Sequence, residues 1–489
     1  MKKLLSLLLL GALLLSLAAC TDPVISGANT EAPVNADPET VPDAVIELRG
    51  DSISYKGKGA AVKGSVITIG APGDYTVRGT LNDGRIVVDL KEIPGKVSLY
   101  LDGADITCLT DSAIHLIEAK ELNLVLVDGS KNRVVSGTQA DFDAYDETRQ
   151  GAAIFAEDDL DIQGGGELEI VGNLNNGITC KDDLKIKGGT ISVTAANNGI
   201  RASESVTVTG GEVTVNAGND GVKATSVKKA DKGFVRIEGG SLRVTAGGDG
   251  VSAESELRIS GGEITVETGG DPDVKSCKGL KGQTGVTVEG GSITVNAADH
   301  AVRSGAALTV SGGTLSLSSA AGKGLAAETE LLISDGAVSV RSADDGLASA
   351  DTVRITGGEL TVESGADGIQ GGKKTTGFGE TVGTVSIEGG RVLISAFNKT
   401  VDAKARFLLT GGTVFACGKG KLQPESELPY LLFNVQGHAG AALRVGAEEL
   451  TLTSAYVFSA VFYADAALRE GQSYALSGAS TAAEAVATR

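Results

Sequence analysis

TISVTAANNGIRASESVTVTGG, residues 190–211, decides the fold. Ile191, Val193 and Ala195 alternate with Ser192 and Thr194, and Asn197-Asn198-Gly199 then supplies a turn. In the short segment that follows, Ile200 and Ala202 face one way and Arg201 the other. Val206 and Val208 alternate with Thr207 and Thr209 before Gly210-Gly211 turns the chain again. Alternation with period two marks strands, and no part of the stretch has helical spacing.

Working outward, the stretch recurs. Gly-Gly pairs begin at residues 165, 188, 210, 239, 261, 290, 312, 357, 389 and 411, and Asp335-Gly336 stands in the same place. The intervals are 23, 22, 29, 22, 29, 22, 23, 22, 32 and 22 residues, a fixed period near 22 with three insertions. Such a period is the signature of a solenoid. Three strands and three turns close one coil, and coils stack about 4.8 Å apart, the spacing of hydrogen-bonded strands. The expected fold is all-β: a right-handed parallel β-helix, its hand following the usual crossover rule, with about 22 residues per coil and β caps at both ends.

Composition agrees with a thin coil. Aromatic residues make up only 4% and Trp is absent, as expected where the interior has little room for rings. The formal net charge is −19, and loss of Lys2 and Lys3 with a leader makes it more negative still. A chain of that charge is repelled by nucleic acid and by anionic lipid surfaces.

The ends divide the chain. Residues 1–19 have Lys2 and Lys3, an apolar run and Leu17-Ala18-Ala19 before Cys20. They resemble a bacterial lipoprotein signal peptide, which implies cleavage before Cys20 and lipidation of its sulfur. Residues 20–43 read as a disordered tether. Lipid at Cys20 is then the only membrane attachment, and the protein is expected on the extracellular face of the cell envelope. Residues 44–150 form an N-terminal β cap with irregular first coils, 151–420 the repeat, and 421–489 a C-terminal β cap. Asp141, Asp143, Asp146 and Glu147 lie in an acidic loop; holding a cation is one reading of it, and a merely solvated segment is the favoured one. Cys108, Cys180, Cys277 and Cys417 fit no zinc spacing; the first two and Cys417 read as buried, whereas Cys277, inside an insertion, is expected to be exposed.

Stacked coils turn equivalent positions into columns. Before the middle strand run Asn176, Asn198, Asp220, Asp249, Asp271, His300, Lys323, Asp345 and Asp367, most of them followed by Gly. Turn chemistry explains Asx-Gly, since Asn and Asp tolerate left-handed φ and bond their own backbone. It does not explain adjacent carboxylates, which repel unless a cation or a base lies between them. A second, outward column holds Thr179, Arg201, Lys223, Ser252, Lys281 and Arg303, then turns neutral at Ala326, Ala348 and Gln370. The insertions 225–233, 272–278 and 371–381 leave the coil beside the middle strand, on one shared edge, and bring Lys228 and Lys278 among other lysines.

A surface of alternating acids and bases suits an anionic sugar polymer. Arg201, Lys223, Lys281, Arg303, Lys228 and Lys278 are the candidate carbohydrate-binding residues, and Asp220, Asp249, Asp271 and Asp273 are candidates for a bridging Ca²⁺. The bland alternative is that the acidic and basic columns neutralise one another. A lyase is the enzymatic alternative, with Lys223, Lys281 or Arg303 as the base of a Ca²⁺-dependent β-elimination; an adhesin stalk is the structural one.

GIRASESVTVTGG (199–211), GNDGVKA (218–224), AGGDGVSAESELRISGGEITV (246–266) and ADDGLAS (343–349) resemble the bacterial carbohydrate-binding β-helix family. The resemblance extends to residues 152–178 and to both flanks, RIVVDLKEIPGKVSLYLDGADIT (85–107) and VFYADAALREGQSYAL (461–476), and covers about residues 60–470. It implies a fold similar to pectate lyases, binding of acidic plant polysaccharide or cellulose, and bound Ca²⁺. The turn motif carries onto Asn198, Asp220, Asp249, Asp345 and Asp367; the chain departs from it at His300, Lys323-Gly324 and Lys399-Thr400.

Overall fold

The computed structural model describes residues 44–489 apart from 92, 138–150, 230, 374–382, 421 and 447–449. The expected signal peptide, Cys20 and the expected tether, with nearly all of the acidic loop and most of the third insertion, lie outside the described residues. Among the described residues there is no helix, and none is therefore long and apolar enough to cross a membrane.

Each repeat unit forms three strands, as in Thr190–Ala195, Ile200–Ala202 and Ser205–Val208. Each strand pairs in parallel with its counterpart one repeat on: Ile191 faces Val213, Ile200 faces Val222, and Val206 faces Val235. The three-residue strands belong to a separate stack, a fifteen-stranded sheet whose first four strands, from Ala60–Lys63 to Ile114–Glu118, are slightly longer. This is the arrangement of a β-solenoid, in which the backbone donors and acceptors of one coil are met by those of the next.

Like therefore stacks on like. Val193, Val215, Val244, Val266 and Val295 form one interior column, and every one is buried. Ala202, Ala224 and Ala253 form another, also buried. The largest fully buried rings, Tyr75, Phe415, Phe433 and Phe462, all lie near the two ends, and the middle coils are lined mainly by aliphatic groups with a few small polar ones such as Thr268 and Ser319. All four described cysteines are buried and free; Cys277, expected at the surface, is packed inside its insertion, with its carbonyl accepting from the Thr268 hydroxyl at 2.7 Å.

Two glycine columns serve different needs. From Gly188-Gly189 onward the second glycine of the Gly-Gly corner has positive φ, for example +91° at Gly189 and +85° at Gly211; at the first corner Gly164 takes that role. The glycine after the Asx residue does not; a Cβ on Gly250 would lie 2.2 Å from Val266 Cγ1 and 2.7 Å from the Gly279 carbonyl oxygen. Close approach, not backbone handedness, keeps glycine there.

Antiparallel pairing replaces parallel pairing at both ends. Ala44–Gly50 pairs antiparallel with Ile53–Lys56, and Arg406–Gly418 with Ala460–Ala464. Beyond these, Ala442–Val445, Leu452–Thr453, Ser473–Ser477 and Ala483–Val486 make a four-stranded sheet over a second apolar cluster that includes Phe415, Phe433 and Tyr463.

Gly250→Ala should destabilise the protein by about 1–3 kcal/mol through overpacking, measured as a lower urea midpoint. An unchanged midpoint contradicts the close approach.

Candidate functional site

The short-strand stack positions the basic column. Register runs from Phe155 through Thr179, Arg201, Lys223, Ser252, Lys281, Arg303, Ala326 and Ala348 to Gln370, one residue per coil. The structure thus brings Arg201, Lys223, Lys281 and Arg303 together on one face, interrupted once by Ser252 and becoming apolar at Ala326.

The acidic column beside it needs two corrections. First, Asp271 is not a member. Gly199 N–H donates to the carbonyl of Asp220, Gly221 to Asp249, and Gly250 to Lys278, so the second insertion puts Lys278 in the line and leaves Asp271 and Asp273 on an exposed loop. The inserted residues enter before the corner, which moves the register position to their far end. Second, the Asx residues are not there for left-handed turns: the only non-glycine residue with positive φ among the described residues is Lys91. Their side chains reach the next coil instead. Asn176 Oδ1 accepts from Asn198 N at 3.0 Å, Asn198 Oδ1 from Asp220 N at 3.2 Å, Asp220 Oδ1 from Asp249 N at 2.8 Å, and Asp249 Oδ1 from Lys278 N at 2.9 Å. The same bonding resumes from Asp345 to Asp367 N and from Asp367 to Lys399 N, each at 3.0 Å. A buried Asx side chain at this corner satisfies a backbone donor that would otherwise be orphaned.

The remaining carboxylate oxygens meet the bases. Asp220 Oδ2 lies 2.6 Å from Lys223 Nζ and Asp249 Oδ2 lies 3.0 Å from Lys281 Nζ. These two aspartates are nearly fully buried while both lysines keep about a quarter of their side-chain surface, 26% and 23%. Lys278 pairs with Asp299 at 2.8 Å, and Arg303 with Glu328, which Lys373 also approaches. Arg201 is half-buried, and burial pushes its guanidinium pKa down. Lys228 is exposed. Ser252, between Lys223 and Lys281, is fully buried with no hydrogen-bond partner for its hydroxyl among the described residues. Columns of acids and bases do neutralise one another here, as the bland alternative holds, yet the basic heads stay on the solvent side of the pairs.

The two described insertions flank this face from opposite edges, and the single shared edge is corrected accordingly. Residues 225–233 follow the strand Val222–Ala224, whereas 271–278 precede the strand Leu280–Gly282. Both fold back toward earlier coils. Lys232 reaches Asp183 at 2.8 Å and Glu204 at 2.9 Å, and Lys275 Nζ donates to the Gly218 carbonyl at 3.2 Å. The loops thereby form two walls along the Arg201–Lys281 line. Their tips carry Val227 and Val274, the two most exposed large apolar side chains among the described residues.

One feature escaped sequence reasoning: an acidic wall on the edge opposite the Asx column. Asp159, Asp182 and Asp183 bring carboxylate oxygens within 4.8 Å of one another. Glu204 adjoins them and is bound by Lys229 and Lys232. The signal was present, since Asp158-Asp159, Asp182-Asp183 and Glu204-Ser205 recur at the coil period. Burial, and then the Glu204 carboxylate, push the Asp182 pKa up to about 6. Burial also acts to raise Glu204, but its hydrogen bonds with Asp182, Lys229 and Lys232 hold it down to about 2.

Comparison with known proteins identifies the family. The sequence model of the carbohydrate-binding domain-containing protein family matches residues 63–324 and 312–456. The chain belongs to that family. A carbohydrate-binding domain-containing protein of Acetivibrio thermocellus is 38% identical over 138 residues, 28% of this chain and 48% of the relative, so the match spans about half the length of that protein. A solved structure of the polysaccharide lyase-like protein from C. thermocellum, a gadolinium derivative, is 30% identical with a TM-score of 0.46, covering 55% of this chain and 96% of that one.

The Asp182 shift carries a pH signature. Its folded pKa lies above that of an unfolded carboxyl, so the folded state holds the proton more tightly. The resulting stability is present below about pH 4 and is lost as pH rises through about 6. Glu204 acts oppositely: its contribution is present above about pH 4.5 and is lost as pH falls toward 2. Asp182→Asn should therefore be more stable than the wild type at pH 7 by on the order of 1 kcal/mol after solvent screening, with the difference gone at pH 4. Urea titrations at the two pH values measure it, and a pH-independent difference contradicts the assignment.

Proposed function

We infer that the protein is a non-catalytic binder of polysaccharide, and that the walled short-strand face takes an acidic chain such as a polyuronate. The observation that carries this is the single line of Arg201, Lys223, Lys281 and Arg303 between two inserted loops on a chain of net charge −19. Successive bases are one or two strand spacings apart, about 5–10 Å, a span over which sugar carboxylates recur along a polymer. A ligand carboxylate can bind the solvent side of an ammonium whose inner side is held by Asp220 or Asp249, so the cation is positioned before the ligand arrives. Lys228 and Lys278 extend the positive rim from the two loops. Membership of the carbohydrate-binding family supports the ligand class.

The reading includes display outside the cell on a lipid at Cys20. It also takes the stack as a right-handed coil of about 22 residues closed by β caps. Binding is favoured over the lyase alternative because Lys223, Lys281 and Arg303 each sit in an ion pair as a cation, and a cation so held has no lone pair with which to take a proton. The Ca²⁺ part of the reading rests on Asp271 and Asp273, which are exposed. Asp220 and Asp249 do not fit it, because their oxygens already bind backbone N–H groups and lysines.

Changing Arg201, Lys223, Lys281 and Arg303 together to Gln keeps a donor for each buried acid and removes the charge. It should abolish retention by polygalacturonate in affinity electrophoresis; retention at the wild-type level, with the unfolding midpoint preserved, defeats the groove. Excess EDTA should weaken retention of the wild type, and retention indifferent to EDTA removes Ca²⁺ from the reading.

A further inference from the structure

A second concave site lies at the other end of the chain, on a different sheet from the short-strand face. It opens where the four-stranded C-terminal sheet meets the outward side of the last coils, and its volume is about 600 Å³, within the range usual for small-molecule sites. Arg391 and Leu393 come from the strand Thr384–Ala396, and Thr413 from its neighbour Arg406–Gly418, where it faces Arg391 in register. Asp465 stands just past the strand Ala460–Ala464, and Leu450 closes the cleft from the C-terminal sheet side.

The chemistry of the lining is specific. Asp465 is held in place from two sides: Oδ2 accepts from the Thr413 hydroxyl at 2.5 Å and Oδ1 from Ala467 N at 2.8 Å. Arg391 is exposed, and its charge is matched by Glu359 at 3.3 Å. Leu393 and Leu450 are half-buried and offer an apolar floor, backed by buried Tyr463. An anionic ligand would meet the carboxylate of Asp465, and an ammonium ligand would meet Arg391. A ring with hydroxyl groups on its edge and C–H groups on its face satisfies all three elements: hydroxyls donate to Asp465 and accept from Arg391, while the apolar face rests on the leucines.

We propose that this cleft is a second saccharide-binding site, for a short neutral glycan, independent of the basic face. The inference goes beyond the polyuronate reading and does not rest on it. The test is saturation-transfer difference NMR on the full chain with cellotetraose, xylotetraose, mannotetraose and chitotetraose as probes. At least one should give signal. Arg391→Ala and Asp465→Asn should each weaken its binding by about tenfold or more, as expected for loss of a charged hydrogen bond. Asp465→Asn keeps the carbonyl that Thr413 or Ala467 bonds, and unfolding midpoints establish that both variants are folded. Lys281→Gln should leave the signal unchanged. Silence from all four glycans, survival of the signal in both cleft variants, or its loss in Lys281→Gln alone overturns the proposal. Failure of polygalacturonate retention with an intact glycan signal, or the converse, separates the fate of the two sites.

Discussion

Parallel backbone pairing between coils is the constraint on which everything else depends. Once Ile191 is bonded beside Val213 and Arg201 beside Lys223, every position lies next to its equivalent one period away, and a residue type that recurs there meets its own kind. For aliphatic groups that is favourable, and the interior columns of Val, Ile and Leu follow from it. For charges it is costly, because like charges about 5 Å apart repel, and more strongly the less polar the medium. The outer surface is the set of solutions to that problem.

Two solutions are visible in the Asx column. Asn176 and Asn198 avoid charge and donate and accept along the stack. Asp220 and Asp249 keep their charge, but one oxygen of each accepts from the next coil's N–H and the other faces a lysine. The lysines are thereby ordered into their own column, with their heads at the rim. A functional surface thus grows out of a packing requirement: burying an acid to satisfy the backbone obliges a base to stand beside it, and the solvent side of that base is available to a ligand. The acidic wall solves the problem less completely. Asp182 and Glu204 share it with too few cations, and Asp182 is driven toward the protonated form.

The insertions add what a uniform coil cannot. A regular stack presents a flat strip, whereas residues 225–233 and 271–278 rise on its two edges and fold back onto earlier coils. At the far end, the C-terminal sheet does the same for the outward side of the last coils, where Phe415 is buried under Tyr463 instead of facing water. These two surfaces arise where irregular chain covers regular strand.

The sequence by itself determined the strands, their period, the aliphatic interior and the shared line of Arg201, Lys223, Lys281 and Arg303. All of these are periodic, and a period is readable in one dimension. Only the tertiary structure decided that Lys278 and not Asp271 joins the acidic column, since inserted residues displace the count and only backbone pairing reveals where the coil resumes. Only it could show which oxygen of Asp249 meets a backbone N–H and which meets Lys281, that Cys277 is enclosed, and that the insertions occupy two edges. Those are facts of direction and distance between residues two coils apart, and alternation along a strand carries no information about them.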